Sequence, residues 1–263
     1  MTKLVWGAAS DRGQVRQANE DFLLAAELGG RERASVVLLA IADGMGGYQA
    51  GEVASQMAIH SVHRHLESKV ADWPSPEDGE VWLELLRGAM RQANQEILLA
   101  GNSNNQYSGM GTTMTAALVV NDRLYVGHVG DSRLYHLGSG ELHQITNDHS
   151  LVGELVRTGE LTADEAMTHP QRNLVLRALG TDWDVAIDTA SLELSIGDTL
   201  LLCTDGLSNL VRASELEDAL QSDEGVEWTA HALVSEANAR GGYDNVSVIV
   251  ARIQSDSNGG GTV

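Results

Sequence analysis

The chain has 263 residues, with 17 Lys and Arg against 37 Asp and Glu, a formal net charge of -20 and 43% hydrophobic residues. Such acidity repels a phosphate backbone and an anionic membrane surface, which argues against nucleic acid and membrane as partners and suits cations. No apolar run approaches the ~20 residues of a membrane helix, the amino terminus carries no secretory core, and the single cysteine, Cys203, excludes an internal disulfide, so a cytoplasmic protein is expected.

Taken in chain order, β-branched and apolar runs predict strands at 4–9, 22–26 and 35–42. Helical periodicity follows at 52–66, with Val53, Met57, Ile59 and Val62 on one side, and at 81–99, where Leu85, Leu86, Met90, Ala93 and Ile97 recur. Strands return at 113–120, 123–129 and 134–137, followed by a small helical insertion at 149–157 and 162–167, with Thr162 as N-cap and Glu165 three residues on. Strands at 184–192 and 199–203, a helix at 226–239 and a strand at 246–253 complete the pattern. The tight pairs Asn121-Asp122 and Gly197-Asp198 cannot span a parallel crossover, so the sheets read as mainly antiparallel. One domain over 1–253 is expected, with a disordered tail at 254–263 that holds three consecutive glycines and no apolar cluster.

Four aspartates share a setting in which each meets an apolar strand beside a turn or glycine: Asp43 in LLAIADGMGG, Asp131 in LYVGHVGDSR, Asp205 in LLLCTDGLSN and Asp244 in GGYDNVSVIV. One Asp-Gly after a strand is ordinarily a turn. Four such carboxylates brought together would raise one another's pKa values unless a cation neutralised them. An all-oxygen set selects Mg or Mn over Zn, whose preferred His and Cys groups are absent from any ligand spacing. His60, His63 and His65 lie on or beside one predicted helix without a His-Glu-x-x-His pattern and read as surface or core residues. In RQANED, Arg16 precedes Glu20 and Asp21, and an arginine fork can hold two phosphoryl oxygens while the acids hold metal water. A P-loop, a cysteine-phosphatase loop and a G-x-S-x-G elbow are all missing.

Together these residues resemble the metal-dependent Ser/Thr protein phosphatases of the protein phosphatase 2C type, in their compact bacterial form. The blocks SDRGQVRQANEDF, IADGMGGYQAGEVAS, GMGTTMTAALV, GHVGDSRLY, TNDHSLVGELVRTGELT, HPQRN, GDTLLLCTDGLSN and GGYDNVSVIV follow the family's order over nearly the whole chain. The resemblance implies an α+β fold, a four-layer α-β-β-α sandwich of two antiparallel sheets, with a helical flap at about 147–176 beside the active site. It implies two Mn2+ or Mg2+ ions, with Asp43 bridging them, the Gly44 carbonyl on one, and Asp205 and Asp244 completing the other. Glu20 and Asp21 would act mainly through metal-bound water, Arg16 would hold the phosphate, and Asp131 with Asp205 would hold a weaker third ion. The implied reaction is hydrolysis of phosphoserine and phosphothreonine in proteins by a metal-activated bridging water, opposing a bacterial Ser/Thr kinase, so that phosphoproteins, including such a kinase or its substrates, would be the partners. Met45 stands where eukaryotic members carry a histidine proposed as general acid, and Tyr48 where some bacterial members carry one. That leaves Tyr48 or a metal-bound water as proton donor, with a packing or substrate-contact role the preferred reading of Tyr48.

Overall fold

The computed structural model describes residues 2–28, 35–47, 50–69, 73, 75 and 78–255. The chain begins with β1 (Thr2–Asp11), β2 (Asp21–Leu28) and β3 (Val36–Met45), then the helices α1 (Ala50–Ser68) and α2 (Gly79–Ser103). A second run of strands comprises β4 (Gly111–Thr112), β5 (Met114–Val120), β6 (Arg123–Val129), β7 (Arg133–Gly138) and β8 (Glu141–Gln144). Two short helices follow, α3 (Leu151–Arg157) and α4 (Ala163–Thr168), and then β9 (Asp188–Glu193) and β10 (Thr199–Cys203). The chain closes with α5 (Asp205–Ser208), α6 (Ala213–Gln221), α7 (Val226–Ala239) and β11 (Val246–Ser255).

The strands form two antiparallel sheets, one in the order β1-β11-β10-β7-β8 and one in the order β2-β3-β5-β6-β9, with β4 paired to the end of β3. Their packing follows from the two-residue period of a strand. Along β3, Val36, Leu38, Ala40 and Ala42 face α1 and α2, while Val37, Leu39 and Ile41 meet Leu200, Leu202 and Ile249 of the other sheet. On that sheet Leu201, Cys203, Val248 and Val250 point outward against Leu207, Leu216, Ala230 and Leu233 of the carboxy-terminal helices. Three apolar layers therefore separate four layers of structure, giving the expected α-β-β-α sandwich. A strand covered on both faces has no polar side, which is why 36–42 reads as an unbroken apolar run.

Several boundaries differ from the sequence-based expectation. The predicted strand at 184–192 begins only at Asp188, because the Asp184 amide donates to Asp182 Oδ1 at 3.1 Å and turns the chain. Gly197-Asp198 does not close a hairpin: it lies on the passage from β9 in one sheet to β10 in the other. Asn121-Asp122 does close one, with Val120 paired to Arg123 and Asn121 at φ 57. The expected tail starts too early, since Gln254 and Ser255 pair with Lys3 and Thr2; residues 256–263 lie outside the described residues. Between β8 and β9, Thr162 and Glu165 form the expected capping box of α4. The base of this insertion is drawn together by Leu176 N donating to His149 O at 2.7 Å and by a bridge between Ser150 and Val175.

Candidate metal centre and active site

Both sheets end in carboxylates on the same side of the molecule. In the first, Asp21 and Asp43 stand opposite each other in the β2–β3 register. The backbone of Asp43 is fixed on both sides: its amide donates to Thr113 Oγ1 at 2.9 Å, and its carbonyl accepts from Thr113 N at 2.9 Å and Thr112 Oγ1 at 2.8 Å. Next to it, Gly44 donates to Glu20 O at 3.1 Å. A Cβ on Gly44 would lie 2.0 Å from the carbonyl oxygen of Gly51, so α1 can start directly against the strand end only because that side chain is absent.

At the end of the second sheet, Asp205 opens α5 one residue after β10, and Asp244 stands two residues before the start of β11. Thr204 joins the two sheets by donating from Oγ1 to Asp21 Oδ2 at 2.9 Å while accepting from Ser247 N at 3.0 Å. Asn209 Nδ2 donates to Asp205 Oδ2 at 3.0 Å, and Arg16 Nη2 donates to Asp244 Oδ2 at 2.7 Å. Asp131 follows β6 and Gly130, whose amide donates to His149 Nδ1 at 3.0 Å. Asp21, Asp131 and Asp205 are each less than a tenth exposed.

The electrostatics show that these groups share one space. Burial pushes Asp21 up to about 7, against the hydroxyl hydrogen bonds of Ser247 and Thr204 and assisted by the charges of Asp205 and Asp244. Asp43 is raised well above the usual carboxylate range, first by burial and then by Asp21, Asp205, Asp131 and Asp244. Asp131 is likewise held high by burial and by Asp205 and Asp148, and Asp205 is pushed up to about 6 by burial and by Asp244. Two buried oxygens, Asp21 Oδ1 and Asp205 Oδ1, have no hydrogen-bond partner. Unpartnered buried carboxylate oxygens are costly unless a cation receives them, and an all-oxygen donor set of this kind suits a hard divalent ion. Among the described residues no three Asp, Glu, His or Cys side chains make a ready-formed cage, and two of the carboxylates are engaged by Arg16 and Asn209.

The remaining sequence-based candidates are less enclosed. Arg16 sits on an exposed loop. Glu20 lies against Gly51 at the start of α1, where a Cβ would come within 2.8 Å of its carboxylate, and its pKa is raised by burial against the pull of Arg16. Met45 ends β3 opposite Gly111, and Tyr48 lies outside the described residues. Of the helical histidines, His60 packs on Phe22 with ring centroids 5.1 Å apart and His65 bonds Gln92 Oε1, so both serve the helix. A cavity of about 820 Å³ runs from Asp131 and Asp205 to the insertion, walled by Arg133, Arg172, Arg177 and Arg212 among others. The hydroxyl and amide residues Thr113, Thr204, Ser247 and Asn245 lie inside the same motifs, Thr204 directly before Asp205 and Asn245 directly after Asp244, but no residue type or spacing in the sequence marks them as part of the centre.

A family model described as protein phosphatase 2C matches residues 12–241. The chain is 40% identical over 243 residues to the serine/threonine phosphatase stp of Listeria monocytogenes, covering 92% of each chain. It is 44% identical over 250 residues to the serine/threonine protein phosphatase PstP of Mycobacterium tuberculosis, covering 95% of this chain and 45% of that longer one. The crystal structure of M. tuberculosis PstP/Ppp superposes with a TM-score of 0.83 at 42% identity, over 96% of this chain and 99% of that one. The catalytic domain of PstP in complex with two manganese ions gives a TM-score of 0.82 at 40% identity, over 97% and 100% of the two chains.

Proposed function

Because the chain belongs to the protein phosphatase 2C family and is a metal-dependent protein-serine/threonine phosphatase, we propose that the carboxylates between its sheets are the centre that holds the metal and its substrate. The observation that carries this reading is the convergence of Asp21, Asp43, Asp131 and Asp205 beside Asp244: burial and the neighbouring carboxylate charges raise the first four, and two buried oxygens are left unpartnered. Two ions, Mn2+ or Mg2+, would share Asp43; the Gly44 carbonyl would serve one of them, and Asp205 and Asp244 the other. Glu20 and Asp21 would act through water, and Asp131 with Asp205 would hold a weaker third ion. Bound divalent cations supply positive charge for the phosphoryl oxygens and lower the pKa of the attacking water.

The chain's own groups do the rest. Arg16, nearly half exposed yet anchored on Asp244, offers a planar fork for two phosphoryl oxygens and stabilises the charge that develops on them. Thr113 and Thr112 hold the Asp43 backbone in place, so the shared carboxylate is aimed before substrate arrives. The insertion at 147–176 is the flap, and the cavity beneath it admits residues flanking the phosphorylated side chain. The partners are phosphorylated proteins, including a bacterial Ser/Thr kinase or its substrates, and the single buried thiol of Cys203 suits a reducing cytoplasm. Among the described residues no helix is long and apolar enough to cross a membrane.

Hydrolysis of a phosphothreonine peptide after chelation, with Mn2+ or Mg2+ then restored, tests this reading together with the Asp205→Asn variant. Chelation is expected to abolish turnover and either ion to restore it in the wild type but not in the variant. Near-normal turnover by Asp205→Asn at saturating metal would contradict the assignment of the ligands.

A further inference from the structure

The segment from Arg12 to Glu20 joins β1 to β2 and carries Arg16. Gln14 through Ala18 are all exposed, and Val15, its apolar member, is 63% exposed, so apolar packing does little to fix the loop. Its anchors are polar. Gln14 N donates to Gly242 O at 2.8 Å, and Gly13, at φ +80, comes so close to the Asp244 backbone that a Cβ would lie 2.2 Å from its carbonyl oxygen. Three further bonds converge on one side chain.

That side chain is Asn245, which is only 4% exposed. Its Oδ1 accepts from Glu20 N at 2.8 Å, and its Nδ2 donates to Arg12 O at 2.9 Å and to Ala18 O at 2.9 Å. One amide thus holds the loop on both sides of Arg16. Its orientation is fixed by the same contacts, since turning it over would set N–H groups against the Glu20 N–H and an oxygen against two carbonyl oxygens. The backbone of Asn245 is itself held firmly: its N–H donates to Asp244 Oδ1 at 2.9 Å, and its main-chain carbonyl oxygen would be 1.9 Å from a Cβ on Gly206, so the first turn of α5 lies directly on it.

We propose that Asn245 is a positioning residue, clasping the 12–20 loop at both ends so that the Arg16 guanidinium is held beside Asp244 and over the phosphate position. This rests on the reading that Arg16 holds the phosphoryl group. The sheet carries the metal-side carboxylates, whereas an exposed loop carries the phosphate clamp. One buried amide on the sheet side registers the second against the first.

The test is a double-mutant cycle. Asn245→Ala and Asn245→Asp are compared alone and with Arg16→Ala, reading KM and kcat for a phosphothreonine peptide, inhibition by inorganic phosphate, and Mn2+ binding by calorimetry. Asn245→Asp keeps the acceptor for Glu20 but loses both donors, so it is expected to be as impaired as Asn245→Ala; Asn245→Ser supplies the same readouts should the Ala variant not fold. The peptide kcat/KM is expected to fall by about tenfold to a hundredfold, the scale of a displaced clamp, with kcat falling as well as KM rising because Arg16 also bonds the developing charge, the phosphate inhibition constant rising alongside and Mn2+ affinity retained. With Arg16 already replaced, the Asn245 change is expected to add less than about twofold. Equal, additive losses in both backgrounds, or lost Mn2+ binding, would overturn the proposal alone. Normal phosphate inhibition in Arg16→Ala would overturn it together with the reading of Arg16.

Discussion

Arg16 lies 2.7 Å from Asp244 and is nearly half exposed, so its guanidinium is both oriented by a carboxylate and open to an incoming anion. In the proposed role, two charge-assisted bonds to phosphoryl oxygens strengthen as charge builds on them. At about 1.5 to 3 kcal/mol for hydrogen bonds to charged groups, Arg16→Ala is expected to lower kcat/KM for a phosphopeptide by about tenfold to a hundredfold. Arg16→Lys is expected to recover little, because an ammonium keeps the charge but not the planar pair of donors. Steady-state kinetics on the two variants check this, and a Lys variant as active as wild type would remove the fork from the account.

At the scale of elements, the parts whose burial leaves a pattern in the sequence were legible. The strand β3 stands out because both its faces are covered, and its apolar run stops at Asp43 where the chain leaves the sandwich. By contrast β8, with Glu141, His143 and Gln144 exposed at a sheet edge, has no apolar alternation to read. The helix α6 buries only Leu216 and Leu220 and was missed for a similar reason. The aspartates could be singled out because each adjoins such a strand, whereas Thr113, Thr204 and Ser247 are ordinary hydroxyl residues until the two sheets bring them together. Loop geometry also separates Asp131 from Asp43. Asp131 follows Gly130, whose amide and carbonyl are both held by His149 at the base of the insertion, so it belongs to the flap side of the centre. Asp131→Ala is expected to keep the two tighter ions and to lose turnover about tenfold more on phosphopeptides than on para-nitrophenyl phosphate, whose good leaving group needs little proton assistance. Equal losses on both substrates, with the tight sites gone, would assign Asp131 to the wrong ion.

For the whole molecule, the crowded carboxylates make folding depend on pH and metal together. Asp21 and Asp205 hold their protons up to about 7 and about 6 in the fold, against about 4 in an unfolded chain. Between those values the native state binds more protons than the unfolded state, so the stability of metal-free protein falls as pH rises from about 4 to about 7. Asp43 and Asp131 are shifted in the same direction. A divalent cation opposes this, and at about 100-fold above its dissociation constant it adds ~2.7 kcal/mol, or roughly 5 to 10 °C in melting temperature for a chain of this size. Thermal melts of chelated and Mn2+-loaded protein should therefore diverge more at pH 7.5 than at pH 5. A metal effect that shrank with rising pH would contradict the buried carboxylate centre.

The central claim is that carboxylates from both sheets form one centre around Asp43. Calorimetric titration of Mn2+ into wild type and Asp43→Ala at the same pH, with melting curves to confirm that both are folded, tests it most directly. Wild type is expected to take up two tightly bound ions, and the folded variant neither of them, since the shared carboxylate touches both. Two ions bound with wild-type affinity by folded Asp43→Ala would contradict the account.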